Sequence, residues 1–138
     1  MSYTINLSIK KDDNDTLSVV EKTCWYYSGG ADWTEREGHH ILSLKASGTS
    51  GMLRFRTSTG ESFCLAVGVH NYSRWCDIIV DAGDDDTAVR IHPAYYSESN
   101  PRNQMLWNQL SSLERTTATG RTLTIKFFRD DGHELFAT

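Results

Sequence analysis

Apolar and polar residues alternate along much of this chain with the two-residue period of a half-buried β-strand. The alternation is clearest in Tyr3–Ile9 and in Phe63–Val69, where every second residue is a large apolar one. Other segments alternate more briefly or are rich in β-branched residues. We predict strands at Tyr3–Ile9, Leu17–Trp25, His39–Leu44, Leu53–Arg56, Phe63–Val69, Val89–Ile91, Leu123–Phe127 and Glu134–Ala137.

Polar runs and glycines separate these strands and predict loops and turns. Lys10–Asp15 is a polar loop, Tyr26–Asp32 is a glycine turn, and Thr59-Gly60 reverses the chain between two strands. Acidic residues concentrate in the first of these segments and in Asp84–Asp86, which we expect to be solvated loop tips.

A single segment has the spacing of a helix. Asn100 is a favourable N-cap, and Pro101 suits the first helical position. Leu106, Leu110 and Leu113 follow at intervals of four and three residues and would line one face. Many short strands with one late helix predict a mainly β fold, an antiparallel β-sandwich.

The composition narrows the classes of function. With 138 residues, the chain is most simply one domain, residues 1–138. A net charge of −4 argues against a nucleic-acid partner, because no cluster of Lys and Arg could neutralise several phosphates. No apolar run approaches the ~18 residues of a membrane span. Met1–Ile5 lacks the features of a signal peptide, so we expect a cytoplasmic protein.

Metal-binding and catalytic patterns are weak. The three cysteines are odd in number and widely spaced, which favours reduced, packed thiols over disulfides or zinc ligands. His39 and His40 are adjacent, so in a strand they face opposite sides. Gly48–Met52 lacks the last glycine of a nucleophile elbow. We expect no catalytic residue, metal or cofactor, and only paired carboxylates keep a glycosidase formally open.

Two segments carry the chemistry of a binding site. Gly68–Asp77 combines hydrogen-bonding groups, an arginine and two amphipathic rings, and Ser47–Gly51 has little bulk but many hydroxyl and amide groups. A sugar needs both paired donors and acceptors and an aromatic or apolar floor. Other roles stay open for the same residues. Asn71 could satisfy its own backbone in a turn, Ser47–Gly51 could be a simple β-turn, and Trp75 is better explained as core.

These segments give the chain a resemblance to a known family. It resembles the fungal fruit-body lectins, the mushroom lectins typified by those of Agaricus, Boletus and Xerocomus species. The match covers nearly the whole length, and its most specific part is the string Gly68–Asp77. The matching segments are Met1–Ile5, Val20–Thr23 with Trp25, Gly30, Trp33, Ser47–Gly51 with Leu53–Phe55, Gly68–Asp77, Thr87-Ala88, Tyr95-Tyr96 and Asn108–Leu110.

The resemblance implies a fold, an assembly and an activity. It implies a β-sandwich of the actinoporin-like type with a helix-loop-helix connection, assembled as a homotetramer. It also implies two carbohydrate sites and no catalysis. One site prefers the T-antigen disaccharide, galactose β-linked to the 3-hydroxyl of N-acetylgalactosamine, and the other prefers terminal N-acetylglucosamine. The partners expected are therefore glycans of glycoproteins or glycolipids, and the role expected is defensive.

Position by position, the resemblance gives residues for both sites. The T-antigen site falls on Ser28, Ser47, Gly48 and Asn71, with His70 and Tyr72 beside them. The family usually has alanine at Ser28, a change that keeps the backbone groups. The N-acetylglucosamine site falls on Asp77, Ile78, Ile79, Val80, Arg102 and Leu113. Because the family has threonine at Val80 and tyrosine at Leu113, we expect a weakened or altered second site.

Two other functions compete with a lectin. Actinoporins share the implied fold, so a membrane-active pore former is the alternative from another class. Such proteins need a detachable amphipathic N-terminal helix, whereas this chain begins with strand alternation, so we expect no membrane insertion. The other possibility is a storage protein that retains only vestigial binding.

Overall fold

The described residues of the computed structural model, 2–9, 16–25, 30–131 and 134–137, form two β-sheets and a helical connection. The strands are β1 (Tyr3–Ser8), β2 (Leu17–Trp25), β3 (Ala31–Arg36), β4 (His39–Leu44), β5 (Thr49–Thr57), β6 (Ser62–His70), β7 (Ser73–Ile79), β8 (Ser112–Thr116), β9 (Thr122–Asp131) and β10 (Glu134–Ala137). The helices are α1 (Ala88–Ile91) and α2 (Gln104–Asn108), with 3₁₀ turns at His92–Tyr96 and Pro101–Asn103.

One sheet has six strands in the order β3-β4-β1-β10-β9-β8, and the other has four in the order β2-β5-β6-β7. The pairs are antiparallel except β1 with β10, which run parallel. The mainly β sandwich predicted from the sequence is therefore confirmed, with one parallel pair among the antiparallel ones. No helix in the described ranges is long and apolar enough to cross a membrane.

The main core lies between the two sheets. Alternate residues of each strand point into it, and many of them are at most 1% exposed, among them Ile5, Leu42, Leu53, Val67 and Ile125. This is the physical basis of the two-residue period. Strands of the six-stranded sheet such as β1 bury one face against the core, so buried and more exposed residues alternate along them.

A second core lies on the outer face of the four-stranded sheet. The connection between β7 and β8 covers this face with α1, α2 and the two 3₁₀ turns. Trp75 and Tyr95 are both 0% exposed there, with ring centroids 5.1 Å apart. β6 is thus buried on both faces, and Trp75 is confirmed as a core residue.

The predicted strand at Val89–Ile91 is wrong, because this segment is the helix α1. The Thr87 hydroxyl caps it by accepting from Arg90 N. The carboxylate of Glu21, on β2, accepts hydrogen bonds from the backbone N–H groups of Ala88 and Val89 at 2.7 and 2.9 Å. This carboxylate comes from 67 residues away, so local spacing could not predict it.

The predicted helix is right at its start and too long at its end. Asn100 caps it as expected, its side-chain oxygen accepting from Arg102 N at 2.9 Å. The helical segment stops at Gln109, whose φ is +49°. Leu110 lies beyond the helix, and Leu113 belongs to β8, so the leucine spacing is coincidental.

Several other predictions can be compared with the observed elements. The turn at Thr59-Gly60 is confirmed. Ala31 and Asp32, predicted to be part of a turn, belong to β3, and the strands β3, β7 and β8 were not predicted as strands. The loop predicted at Lys10–Asp15 and most of the turn predicted at Tyr26–Asp32 lie outside the described residues.

Candidate functional site

The tip of the β6–β7 hairpin is a two-residue turn formed by Asn71 and Tyr72. Their φ angles are +50° and +64°, and His70 pairs with Ser73 on either side. Two successive positive φ angles define a type I′ turn, which favours asparagine at its first position. The turn presents both side chains to solvent, with Tyr72 76% exposed.

The loop before β5 is hydrogen-bonded to this tip. Gly48 N–H donates to the carbonyl of Val69 at 2.8 Å, and Tyr72 N–H donates to Ser47 Oγ at 2.9 Å. The φ of Gly48 is +86°, a conformation that glycine adopts without strain. The structure thus brings together five of the predicted T-antigen residues: Ser47, Gly48, His70, Asn71 and Tyr72. The sixth, Ser28, lies outside the described residues.

The hydrogen-bonding capacity of two of these residues is unused. Ser47 Oγ accepts from Tyr72 N, which leaves the hydroxyl hydrogen available to a ligand. The Asn71 carboxamide makes no hydrogen bond within the described ranges. The structure therefore does not support the alternative in which the Asn71 side chain hydrogen-bonds to its own turn. The backbone of Asn71 forms the turn, and its carboxamide does not bond to that backbone.

His70 connects the tip to the helical connection. Its carbonyl accepts from Gln109 Nε2 at 2.8 Å, and its ring meets Trp107 edge-on, with centroids 4.6 Å apart. Burial lowers the pKa of His70, so the imidazole is neutral at pH 7. Its Nδ1 is buried and has no hydrogen-bond partner in the described part of the chain. The surroundings of Asn71 are therefore polar but uncharged on this side.

A buried cluster of hydrogen-bonded polar side chains surrounds His92 near the start of β5. His92 is 2% exposed, and each of its ring nitrogens lies 2.8 Å from a hydroxyl, Nδ1 from Thr23 and Nε2 from Ser50. Ser50 Oγ also lies 2.6 Å from the hydroxyl of Tyr96. Burial lowers the pKa of His92 to about 4. This neutral network joins β2, β5 and the helical connection at Ser50, which follows the Ser47 loop at the start of β5.

The backbone packs closely at the same place. A Cβ on Gly68 would lie 2.5 Å from Ser50 Cβ and 2.7 Å from the carbonyl oxygen of Thr49. Only glycine fits there, because real Cβ atoms do not approach other atoms within 3.0 Å. Gly68 thereby lets the start of β5 lie close against β6 and sets the position of the loop above it.

The second predicted site is more buried than the first. Asp77 is 5% exposed and accepts from the Tyr95 hydroxyl at 2.7 Å, and burial raises the pKa of its carboxyl group. Ile78 and Leu113 are 3% and 7% exposed and belong to the core between the sheets. The half-buried members are Ile79, Val80 and Arg102.

Opposite charges at Asp77 and Arg102 could also form a structural ion pair at this second site, but they do not. Asp77 and Arg102, both within the described ranges, form no salt bridge, although the charge of Arg102 acts on Asp77 and favours a lower pKa of its carboxyl group. Asp77 is instead tied to Tyr95 in the second core. The accessible surface of this predicted site is therefore smaller than the sequence suggests.

The remaining reactive side chains are packed. The described cysteines are free thiols, as expected, and burial raises the pKa of Cys24 and Cys64 to about 11 and of Cys76 to about 12. Within the described ranges no three His, Cys, Asp or Glu side chains are grouped so that they could hold a metal ion. A cavity of about 440 Å³ beside Lys22, Glu35 and His40 contains none of the predicted site residues.

Sequence reasoning missed two residues next to the hairpin tip. Trp107 and Gln109 come from the helical connection, and Gln109 is 39 residues away from His70 in the chain. Gln109 is part of the family resemblance, but nothing in the local pattern links it to the site. The one available signal is the tryptophan itself, since a large aromatic residue lies outside the apolar face of the predicted helix.

Comparisons with known proteins agree with this architecture. The sequence model of the family described as "Fungal fruit body lectin" matches residues 1–138. Boletus edulis lectin, from Boletus edulis, is 38% identical over 139 residues, covering 99% of this chain and 96% of that protein.

Two crystal structures of Xerocomus chrysenteron lectin also match. The wild-type protein is 38% identical with a TM-score of 0.94, covering 99% of this chain and 96% of that one. A variant with three methionine substitutions is 40% identical with a TM-score of 0.92, covering 99% and 95%. The chain therefore belongs to the fungal fruit body lectin family and is a carbohydrate-binding protein.

Proposed function

We propose that the hairpin tip binds the T-antigen disaccharide and N-acetylgalactosamine, with Ser28, Ser47, Gly48, His70, Asn71 and Tyr72 as the binding residues. The unused carboxamide of Asn71 is the observation that carries this proposal. It offers one acceptor and two donor hydrogens, and it sits beside a serine hydroxyl that can donate. A galactose-type ring presents adjacent hydroxyls that need this mixture of donors and acceptors.

The neutral character of the tip also supports a neutral sugar. The tip residues carry no charge, and the imidazole of His70 is neutral because burial lowers its pKa. The bare backbone of Gly48 allows a ligand to approach without meeting a Cβ. The exposed ring of Tyr72 offers an apolar surface to the C–H face of a sugar. Binding here requires no metal, cofactor or covalent step.

Multivalency completes the proposed activity. A shallow site with three or four polar contacts holds a sugar with a Kd on the order of millimolar to tens of micromolar. A homotetramer would place several such sites on one particle and gain roughly 10²–10⁴ in avidity at a glycan-dense surface. We propose on this basis that the protein acts from the cytoplasm as an agglutinin that defends against glycan-bearing animals.

Replacing Asn71 by glycine is expected to lower the affinity for the disaccharide about tenfold or more, because about two hydrogen bonds of roughly 1 kcal/mol each are lost. Glycine adopts a positive φ freely, so the thermal midpoint should stay within a few degrees of the wild type. Calorimetric titration of the disaccharide measures the affinity, and circular dichroism measures the midpoint.

Two matched variants separate binding from turn formation. Asn71→Asp keeps the left-handed turn and one acceptor but loses the donor, so its affinity should lie below that of the wild type. Asn71→Ala adds backbone strain at φ +50°, so it should lose stability as well as binding. Wild-type affinity in Asn71→Gly would remove this residue from the site and defeat the proposal.

For the second site we propose weak binding of terminal N-acetylglucosamine near Asp77, Ile78, Ile79, Val80, Arg102 and Leu113. The burial of Asp77, Ile78 and Leu113 supports this weakness, because their side chains are already used in packing. Titrated by calorimetry, N-acetylglucosamine should bind at least about tenfold more weakly than the disaccharide. Val80→Thr restores the hydroxyl that the resemblance places there and should tighten binding. Equal affinity for both sugars in the wild type would show that the missing hydroxyls do not matter.

The pore-forming alternative has no support from the described residues. Such activity needs an N-terminal helix that detaches, whereas β1 lies between β4 and β10 and pairs with both. Removing it would break the six-stranded sheet at its centre. We therefore retain the lectin as the proposed function.

A further inference from the structure

Trp107 is the exposed tryptophan of this chain. It is 59% exposed, whereas Trp25 and Trp33 are half-buried and Trp75 is completely buried. All four positions lie within the described residues. A large aromatic ring in solvent exposes apolar area that folding would otherwise remove from water, and neither core uses it.

The ring is held in a fixed position relative to the hairpin tip. It stands edge-on against His70 with centroids 4.6 Å apart and planes at 87°. Two residues beyond it, Gln109 donates from Nε2 to the His70 carbonyl at 2.8 Å, and its own carbonyl accepts from Arg74 Nη1 at 3.0 Å. These bonds link the end of α2 to both strands of the hairpin, so the backbone that carries the indole is tied to the tip, and the His70 ring supports the indole on one side.

Trp107 and Ser47 approach the tip from different sides. Ser47 and Gly48 precede β5, which pairs with one edge of β6. α2 lies on the outer face of the sheet and packs against β7, which pairs with the other edge of β6. The Ser47 hydroxyl bonds to Tyr72 N–H, and the indole of Trp107 contacts the ring of His70, so both groups adjoin the turn Asn71-Tyr72.

We propose that Trp107 is a subsite for an additional sugar ring, so that the preferred ligand is a glycan longer than the disaccharide. This inference rests on the proposed function of the tip. The C–H face of a pyranose is apolar, and an aromatic ring that is already immobilised gains contact area at low cost in conformational entropy. The polar groups at Asn71 and Ser47 would select one ring by its hydroxyls, while Trp107 would stack against a neighbouring ring.

The test compares the disaccharide with a panel of trisaccharides. Each trisaccharide carries one extra hexose or N-acetylhexosamine at a different position of the disaccharide, and a final ligand carries the disaccharide on the threonine of a short peptide. Calorimetry gives the affinity of each for the wild type and for Trp107→Ala and Trp107→Phe. Val89→Ala, at an exposed apolar residue on α1, is the matched control.

At least one trisaccharide should bind the wild type between about threefold and tenfold more tightly than the disaccharide. This ratio should fall to about one in Trp107→Ala, stay above one in Trp107→Phe and be unchanged in Val89→Ala. Because Trp107 is the exposed indole, that trisaccharide should also shift tryptophan emission to shorter wavelength, and the shift should disappear in Trp107→Phe.

Other outcomes overturn the inference in distinguishable ways. If the disaccharide binds through Asn71 but no trisaccharide exceeds it, or the gain survives in Trp107→Ala, the subsite is refuted and the proposed function stands. A gain confined to the glycopeptide would replace the sugar subsite with a peptide contact and also refute it. If neither the disaccharide nor any trisaccharide binds the wild type, the proposed function fails and the subsite with it.

Discussion

Replacing Gly68 by alanine is expected to destabilise the protein by about 3 kcal/mol, which is at the upper end of the usual cost of overpacking. The added Cβ would lie 2.7 Å from the backbone oxygen of Thr49 and 2.9 Å from Ser50 Cα. Backbone atoms in a buried strand cannot rotate away, so β5 must shift relative to β6. Urea denaturation measures the free energy of unfolding through the midpoint and slope.

Gly60→Ala is the control for this variant. Gly60 has a φ of +91°, and a Cβ added there would have nothing within 4 Å, so alanine meets strain without a clash. Its cost should be about 1 kcal/mol. Because Gly68 sets the loop that carries Ser47, Gly68→Ala should also weaken disaccharide binding at a temperature where it is still folded. Equal costs for the two variants would contradict the packing described at Gly68.

Acid is expected to destabilise the fold through His92. Burial lowers the pKa of this imidazole from an ordinary value of 6.5 to about 4 in the folded protein. Between these two values the unfolded chain binds a proton that the folded protein does not, so the free energy of unfolding falls as the pH falls. The stability is complete above pH 6.5 and is lost towards pH 4, by about 3 kcal/mol over the whole interval.

Thermal unfolding from about pH 7.5 to about pH 4 measures this dependence. His92→Gln should flatten it, and His39→Gln, at an exposed position on β4, should leave it unchanged. Burial also lowers the pKa values of His40 and His70, which adds to the loss in acid. Asp77 acts in the opposite direction, because burial raises its pKa and its protonated form is favoured in the folded state. An identical slope in His92→Gln and the wild type would show that His92 is not the group responsible.

The strands are predictable wherever large apolar residues occupy one face alone. β6 is buried on both faces, but its second face carries only small residues, so its alternation survives. β1 alternates buried and half-buried residues along its length, and the sequence shows the same period. β7 is missed because Ser73–Ile79 carries core residues on both faces, Trp75 on one and Ile78 on the other. A strand that carries large side chains on both covered faces loses the alternation that marks strands in a sequence.

The helical connection cannot be placed from local spacing. α1 is four residues long and is stabilised at its N-terminus by Glu21 of another element. Helices this short have little stability of their own. The end of α2 is set by Gln109, which adopts a positive φ while it bonds to His70 and Arg74. Both features depend on contacts between residues that are far apart in the chain.

The candidate site also has features that the sequence predicts and features that it does not. The chemical content of Ser47–Gly51 and Gly68–Asp77 indicates sugar recognition from the sequence alone, and the family comparison confirms a carbohydrate-binding protein. The type I′ turn at Asn71-Tyr72 is not predictable, because it lacks the glycine that usually marks such turns. The polar cluster around His92 leaves no local signal, because Thr23 lies 69 residues away from it.

A crystal structure of the complex with the T-antigen disaccharide tests the central claim most directly. We expect sugar density at the hairpin tip, with one ring hydrogen-bonded to the Asn71 carboxamide and to the hydroxyl of Ser47. Clear density for the disaccharide at another place, such as the cavity beside Lys22 and His40, with the tip empty, would contradict it.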